Sequence, residues 1–441
     1  MNDGSVYLAH GDFVYRHTPV PVFSQAQGPF LKDVQGRMYF DAEAANGTAS
    51  LGFDATILTE AVAMDREIPG IPSFLETEIR LQVAKKLGDL FTEVLQVPGR
   101  IAFELGGAQG VELALKIAKA NTKKSQWVVF GGGYHGRSIY TSQFSASHRY
   151  RSLMGEWRVP VTRLPYPDKE QYDSDPALWE PMILSFIKQL VSCEAQGLVT
   201  QKGDPDIAAL IIEPVQNAGG IVKPSKKFME TVVSLFQERE ALIIVDEVFC
   251  GFYRTGPFLG LQHYDFTPDI VITSKAITNG ITPLSCVWAK NPLLDDEHFP
   301  PGTHSATYIN TPFALSVASV VLDRYAKWHT REKDIHTFES VLQSTLDEIV
   351  ATTRIAKSGY ALGGLGRILL TKNYAAKIID IARTIAMNHP IDNMHGLILA
   401  STGMAPNVVA INPPLILTGD EQQMLRSLLL ATFKEADAQL A

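Results

Sequence analysis

The chain has 441 residues, of which 46% are hydrophobic and 20% charged, so a sizeable core can be buried and global disorder is excluded. Its 39 basic and 47 acidic residues give a net charge of −8. That disfavours a nucleic-acid binder, which carries a basic face, but not a phosphorylated small ligand, because backbone amides bind phosphate without net charge. Cys193, Cys250 and Cys286 are widely spaced, with no CxxC and no Cys/His cluster, so neither disulfides nor a metal site is expected. The N-terminal stretch MNDGSVYLAHGDFVYRH is polar and acidic, unlike a secretory signal. No run of about 18 apolar residues is present to span a membrane. These features predict a soluble, cytoplasmic α/β protein.

In chain order, Gly28–Asp41 (GPFLKDVQGRMYFD) reads as two short strands around a turn at Gln35-Gly36. Val111–Ala120 reads as a helix with Val111, Ala114, Leu115 and Ala118 on one face, and Phe228–Arg239 repeats the pattern with Met229, Val232, Val233 and Phe236. Between and after them lie short apolar runs at Gln126–Phe130, Ala209–Ile212, Leu242–Val248, Asp269–Thr273 and Leu284–Ala289. Several are apolar on both parities, as strands covered on both faces must be. The alternation predicts a mostly parallel sheet with helices on both sides. From about Pro312 helical periodicity dominates until Arg367–Thr371, and a last helix, Asp420–Leu440, follows Pro413-Pro414. We expect a large domain over residues 61–315 and a smaller α+β domain from 1–60 and 316–441.

Four features carry chemistry. Gly106-Gly107-Ala108-Gln109-Gly110 opens a helix, where free N–H groups and the helix dipole favour an anion. Gly131-Gly132-Gly133-Tyr134-His135-Gly136 follows a strand and offers an aromatic ring to a flat ligand; its spacing does not fit a dinucleotide fingerprint. Asp246-Glu247 ends a buried strand, at the edge where doubly wound sheets bind ligands. The two side chains point to opposite faces, and Asp246 shares its face with Val248. A ligand cation, a ring nitrogen or neighbouring Arg and N–H groups would each compensate that buried carboxylate. Lys275 ends the run Val271-Ile272-Thr273-Ser274. Desolvation there would lower its pKa and make the amine nucleophilic; snorkelling to solvent is the plainer alternative. Taken singly, each feature also has an ordinary structural reading. Their succession along one α/β unit, each at the ligand edge, is what singles them out.

The stretches GGAQGVELALKIAKA, FGGGYHGRS, LIIEPVQNAGG, IIVDEVFCGFYRTG, DIVITSKAITNGITPLS and THSATYINTP run in the order found in class III aminotransferases, which the chain closely resembles from Gly106 to Pro312. Weaker similarity reaches both ends. The resemblance implies a fold-type-I enzyme, with a seven-stranded sheet in the large domain, that uses pyridoxal 5′-phosphate. It implies that Lys275 is the Schiff-base lysine and that Asp246 pairs with the pyridine nitrogen. Val248 would pack on one ring face and Tyr134, beside His135, on the other. Gly107 and Ala108 would bind the phosphate, and Thr307 would reach the phosphate of a partner subunit in a homodimer. Glu213 and Gln216, of the EPxQ motif, would lie near the ring. The implied reaction is ping-pong transamination from an amine, ω-amino or amino-acid donor to a keto or aldehyde acceptor. Racemisation, epimerisation or aminomutase chemistry on the same residues is the alternative.

Three departures bear on the substrate. The phosphate loop lacks the usual leading hydroxyl. Ala410, in Ala410-Ile411-Asn412-Pro413-Pro414-Leu415, stands where relatives carry a carboxylate-binding Arg, and Ala218 stands where many carry a Glu that neutralises that Arg. A bidentate guanidinium is not replaced by Ala. The carboxylate is therefore read from elsewhere, with Arg16, Arg137 and Arg367 as candidates, or the substrate lacks one. A standard ornithine, acetylornithine or 4-aminobutyrate aminotransferase is not expected. Phe249, Cys250 and Tyr253 are expected to make one wall more aromatic, suited to a substrate with apolar bulk.

Overall fold

A computed structural model describes residues 9, 20–67, 70–155, 157–168, 176–192, 197–403 and 405–441. Arg16, Cys193 and most of the N-terminal stretch lie outside them. The strands, in chain order, are β1 (Phe23–Gln27), β2 (Phe30–Asp33), β3 (Met38–Asp41), β4 (Gly99–Glu104), β5 (Gln126–Phe130), β6 (Val161–Leu164), β7 (Ile207–Ile212) and β8 (Leu242–Asp246). They continue with β9 (Ile270–Thr273), β10 (Ser285–Lys290), β11 (Ala356–Leu362), β12 (Leu365–Leu370), β13 (Gly396–Ile398), β14 (Ala400–Thr402) and β15 (Val408–Ile411).

A seven-stranded sheet in the order β4-β10-β9-β8-β7-β5-β6 forms the centre. Five neighbouring strands run parallel, and β10 is antiparallel to both β9 and β4. The apolar runs cover both faces. Ile211, Ile244 and Ile272 meet Val111, Ala114 and Ala118 of the Gly107–Thr122 helix on one side. Leu210, Ile243, Val245 and Val271 meet Phe228, Met229, Val232 and Phe236 of the Lys226–Gln237 helix on the other. Burying both parities excludes water from the ladder and fixes the register.

Two four-stranded sheets come from the chain ends, in the orders β1-β2-β3-β13 and β11-β12-β15-β14. The first joins residues near position 40 to residues near 397 through parallel pairing of β3 with β13. Phe40, Ile368, Leu397, Val409, Ile411 and Phe433 share one core with the final helix, Gly419–Leu440. That helix begins with a reciprocal Thr418/Glu421 capping box.

The structure corrects two expectations. Ala356–Leu362 is a strand inside the stretch expected to be helical. Gly359 lets it lie close under the Arg331–Thr352 helix, because a Cβ there would be 2.7 Å from Leu346 Cβ. The run Leu242–Val248 stops as a strand at Asp246. The Val248 N–H turns back to Asp246 Oδ1 at 3.0 Å, the side-chain-mimicked turn typical of Asp.

The buried Arg254 joins the central unit to the C-terminal strands. Its Nη1 donates to the Pro413 carbonyl at 2.6 Å and its Nη2 to Ser50 Oγ at 2.9 Å. Burial lowers its pKa to about 10, and hydrogen bonds from a charged donor contribute about 1.5–3 kcal/mol each. Arg254→Met should keep the far-ultraviolet circular dichroism and lower the thermal midpoint by several degrees; an unchanged midpoint would show that this stitch carries no stability.

Candidate active site

The carboxyl ends of β8 and β9 deliver the central residues. Strand parity sends Asp246 to the same face as Ile244, toward the start of the Gly107–Thr122 helix, and sends Glu247 the other way. Glu247 accepts from the N–H groups of Gly260 and Leu261 at 2.9 and 2.7 Å, and burial raises its pKa to about 8. It is a buttress of the following loop. Asp246, 4% exposed, faces the site.

Asp246 Oδ2 lies 2.8 Å from His135 Nδ1, and both side chains are buried. Burial disfavours a charge on His135, but the hydrogen bond and charge of Asp246 outweigh it, so its pKa is raised. His135 is fixed in turn by Ser145, whose Oγ accepts from the His135 N–H and donates to the Gly136 carbonyl. Glu213 follows β7, and its Oε1 accepts from the Tyr134 N–H at 2.8 Å. Burial raises its pKa to about 7, with His135 pulling down and Asp246 pushing up. Gln216 donates to the Gly131 carbonyl at 2.9 Å. The glycine loop is required by this packing: Gly132 has φ +79°, and a Cβ there would sit 2.5 Å from Gln216 Oε1.

Lys275 follows β9 with φ +50°, a left-handed conformation that costs a non-glycine residue about 1 kcal/mol or more. Its amine lies 4.9 Å from the centre of the Phe249 ring. Burial lowers its pKa, opposed by Asp246, Glu43 and Glu213. Ser274 pins the preceding turn by donating to the Leu284 carbonyl. Asn279 ties the following turn to the Leu51–Gly52 loop through both ends of its amide.

The helix start is built for an anion. Gly106 is its N-cap and supplies no side-chain cap, so the first-turn N–H groups of Gly107 and Ala108 remain available. Space is tight around them: a Cβ at Gly107 would lie 3.0 Å from Val248 Cγ1, and one at Gly136 would lie 2.7 Å from Ala108 Cβ. Val248 therefore reaches the helix start through its turn. Tyr134 meets Tyr150 edge-on, with ring centres 5.6 Å apart, and the Arg137 guanidinium covers both rings. An enclosed amine, a buried carboxylate and an open helix N-terminus match the aldehyde, ring nitrogen and phosphate of pyridoxal 5′-phosphate.

Other expected residues lie outside this grouping. Thr307 is on an exposed loop. Of the expected aromatic wall, only Phe249 meets the lysine. The Cys250 thiol donates to the Val215 carbonyl, and Tyr253 packs into the core between Phe258 and Tyr325. Two acids have no counterpart in the sequence reading. Asp41, at the end of β3, accepts from the N–H groups of Glu43, Ala44 and Ala45 at 2.9–3.2 Å. Residues 44–47 then form a left-handed turn with φ from 46° to 73°. This turn places Glu43 within electrostatic reach of Lys275, and burial raises its pKa to about 7. An Ala-Ala-Asn-Gly segment carries no local signal for such a conformation.

The fold is that of fold-type-I, pyridoxal-phosphate-dependent transaminases. A solved ω-aminotransferase from Paracoccus denitrificans superposes with a TM-score of 0.84 at 22% identity, covering 98% of this chain and 97% of the other. The model of the class III aminotransferase family matches residues 14–432, and the chain belongs to that family. It is an aminotransferase, and pyridoxal 5′-phosphate is its cofactor. A probable 4-aminobutyrate aminotransferase from Bacillus subtilis (strain 168) is 27% identical over 89% of this chain and 88% of its own length. An alanine/serine racemase from Pyrococcus horikoshii is 26% identical over 92% and 84%.

Glu43 gives a pH signature. Its folded pKa of about 7 lies above the ordinary 4.5, so the native state favours the protonated acid. The resulting stabilisation is complete below about pH 4.5 and is lost as the pH rises through about 7. Glu43→Gln should therefore leave the thermal midpoint nearly unchanged at pH 4.5 and raise it at pH 8. An equal effect at both values would place Glu43 in solvent.

Proposed function

We propose that the enzyme transfers an amino group from an amine, ω-amino or amino-acid donor to a keto or aldehyde acceptor by ping-pong transamination. The observation that carries this reading is the grouping of Lys275, Asp246 and the open helix start at one sheet edge in a chain of this family. Bound there, pyridoxal 5′-phosphate supplies an electron sink that acidifies the C–H bond beside the transferred amine. Lys275 would hold the cofactor through its amine and, once a donor amine has displaced it, its Nζ would take the proton from the substrate carbon. Its burial keeps a share of the amine neutral for that work. Asp246, steadied by His135, holds the ring nitrogen protonated. Gly107 and Ala108 would donate their N–H groups to the phosphate, and Val248 and Tyr134 would flank the ring.

We infer a homodimer with shared active sites, in which Thr307 reaches the partner's phosphate; the exposure of its loop, with Tyr308 at 67%, supports this reading. We place the enzyme in the cytoplasm, with residues 61–315 as the cofactor unit and 1–60 with 316–441 as the smaller one. The racemase relative keeps a second reading in view: proton return to the same carbon without a second substrate.

Lys275→Ala should lower turnover by at least about a thousandfold and abolish the absorbance band of the lysine-linked cofactor; wild-type turnover would refute the assignment. Asp246→Asn should fold normally and lose most of its rate. With wild-type holoenzyme, an amine donor should bleach the band and a keto acid should restore it. Racemisation of the donor without bleaching would favour the second reading.

A further inference from the structure

Position 410 lacks a guanidinium, but the strand beside it has one. In the antiparallel pairing of β12 with β15, Arg367 stands directly opposite Ala410. Opposed residues in such a ladder share a face, with Cβ atoms about 5 Å apart. Ala410 belongs to a small buried cluster with Val215, Ile221, Phe249 and Cys250. Phe249 in turn is the ring against the Lys275 amine. The face that carries Ala410, and with it Arg367, therefore packs on the cluster that includes the ring beside the lysine.

Arg367 is 5% exposed. Its Nη1 donates to the Gly220 carbonyl at 3.0 Å and reaches the Ile221 carbonyl at 3.5 Å. Among the described residues no carboxylate pairs with it, and Nε and Nη2 have no hydrogen-bond partner. Neither of these atoms is sealed away from solvent-accessible space, unlike the orphaned Nε of Arg254. A buried guanidinium without an anion is costly. Arg254 shows the structural solution, spending both Nη atoms on carbonyl and hydroxyl oxygens. Arg367 keeps the edge that would bind a carboxylate bidentately. The loop that holds its Nη1 also carries Ala218, two residues before Gly220, so no acid at that position quenches the charge.

We propose that Arg367 anchors the substrate carboxylate from the strand beside position 410, directly across the ladder. This rests on the transaminase reading and narrows it: the substrates are amino acids and oxo acids, and simple amines and aldehydes are poor ones.

Donor pairs that differ by a carboxylate test this on the holoenzyme: L-alanine with ethylamine, 4-aminobutyrate with propylamine, L-ornithine with 1,4-diaminobutane. The reading is kcat/KM for bleaching of the cofactor band. Wild type should prefer the acid member. Arg367→Ala should lose about 100-fold with the acid, mainly in KM, and change the amine member less than about twofold. The double variant Arg367→Ala/Ala410→Arg, which moves the guanidinium across the ladder, should recover at least tenfold with the acid. No wild-type preference, equal losses for both members, or no recovery would overturn the proposal. Glutarate, which has no amine to transfer, separates this from failure of the transaminase reading. Its binding to wild type, followed by cofactor absorbance, and its loss in Arg367→Ala support the anchor whatever the reaction; equal binding by both refutes it.

Discussion

Asp246 is a carboxylate held almost out of water at the end of a central strand, and a charge so placed must be compensated. The neighbouring loops are shaped by that need. His135 is brought against it by a loop whose glycines allow the close turns, and Ser145 holds that loop by accepting from the His135 N–H and donating to the Gly136 carbonyl. Val248 closes the turn onto its other oxygen. In the proposed function, a protonated ring nitrogen would complete the balance. The same strand parity that aims Asp246 toward His135 aims Glu247 the other way, so the next carboxylate holds the following loop.

Lys275 needs the opposite treatment. An amine must be partly desolvated to be nucleophilic, yet it must not be left without acidic neighbours. Phe249 and the β9 turn desolvate it, while Asp246, Glu43 and Glu213 restrain the fall in its pKa. The pKa values of Glu43 and Glu213 are themselves pushed up to about 7 by burial, so these acidic neighbours of the amine are held away from the ordinary carboxylate range. The left-handed conformations at Lys275 and at residues 44–47 are strain held in place by Asn279 and Asp41. Both strained segments border this amine, the usual place for such cost.

The local pattern made much of this legible. Apolar runs on both parities located β5, β7, β8, β9 and β10 to within a few residues, because a strand covered on both faces has little freedom in composition. Asp246 and Lys275 stood out as charges ending such runs. What escaped was long-range or conformational. The His135–Asp246 contact joins residues 111 positions apart. The Glu43 turn has no signature in Ala-Ala-Asn-Gly. Tyr253 looked like a wall residue because its motif passes the site, but strand and turn geometry send it into the core. Ala356–Leu362 read as helix since a strand tucked under a helix needs Gly359 for clearance, and a lone glycine does not announce that. Arg367 could be named as a cation but not placed, since only the β12–β15 register puts it opposite Ala410.

The most direct measurement is borohydride reduction of the purified holoenzyme, followed by digestion and mass mapping of the reduced cofactor label. The account predicts one label per chain, on Lys275, and none in Lys275→Ala. Attachment to another lysine, or the same labelling in the variant, would contradict it.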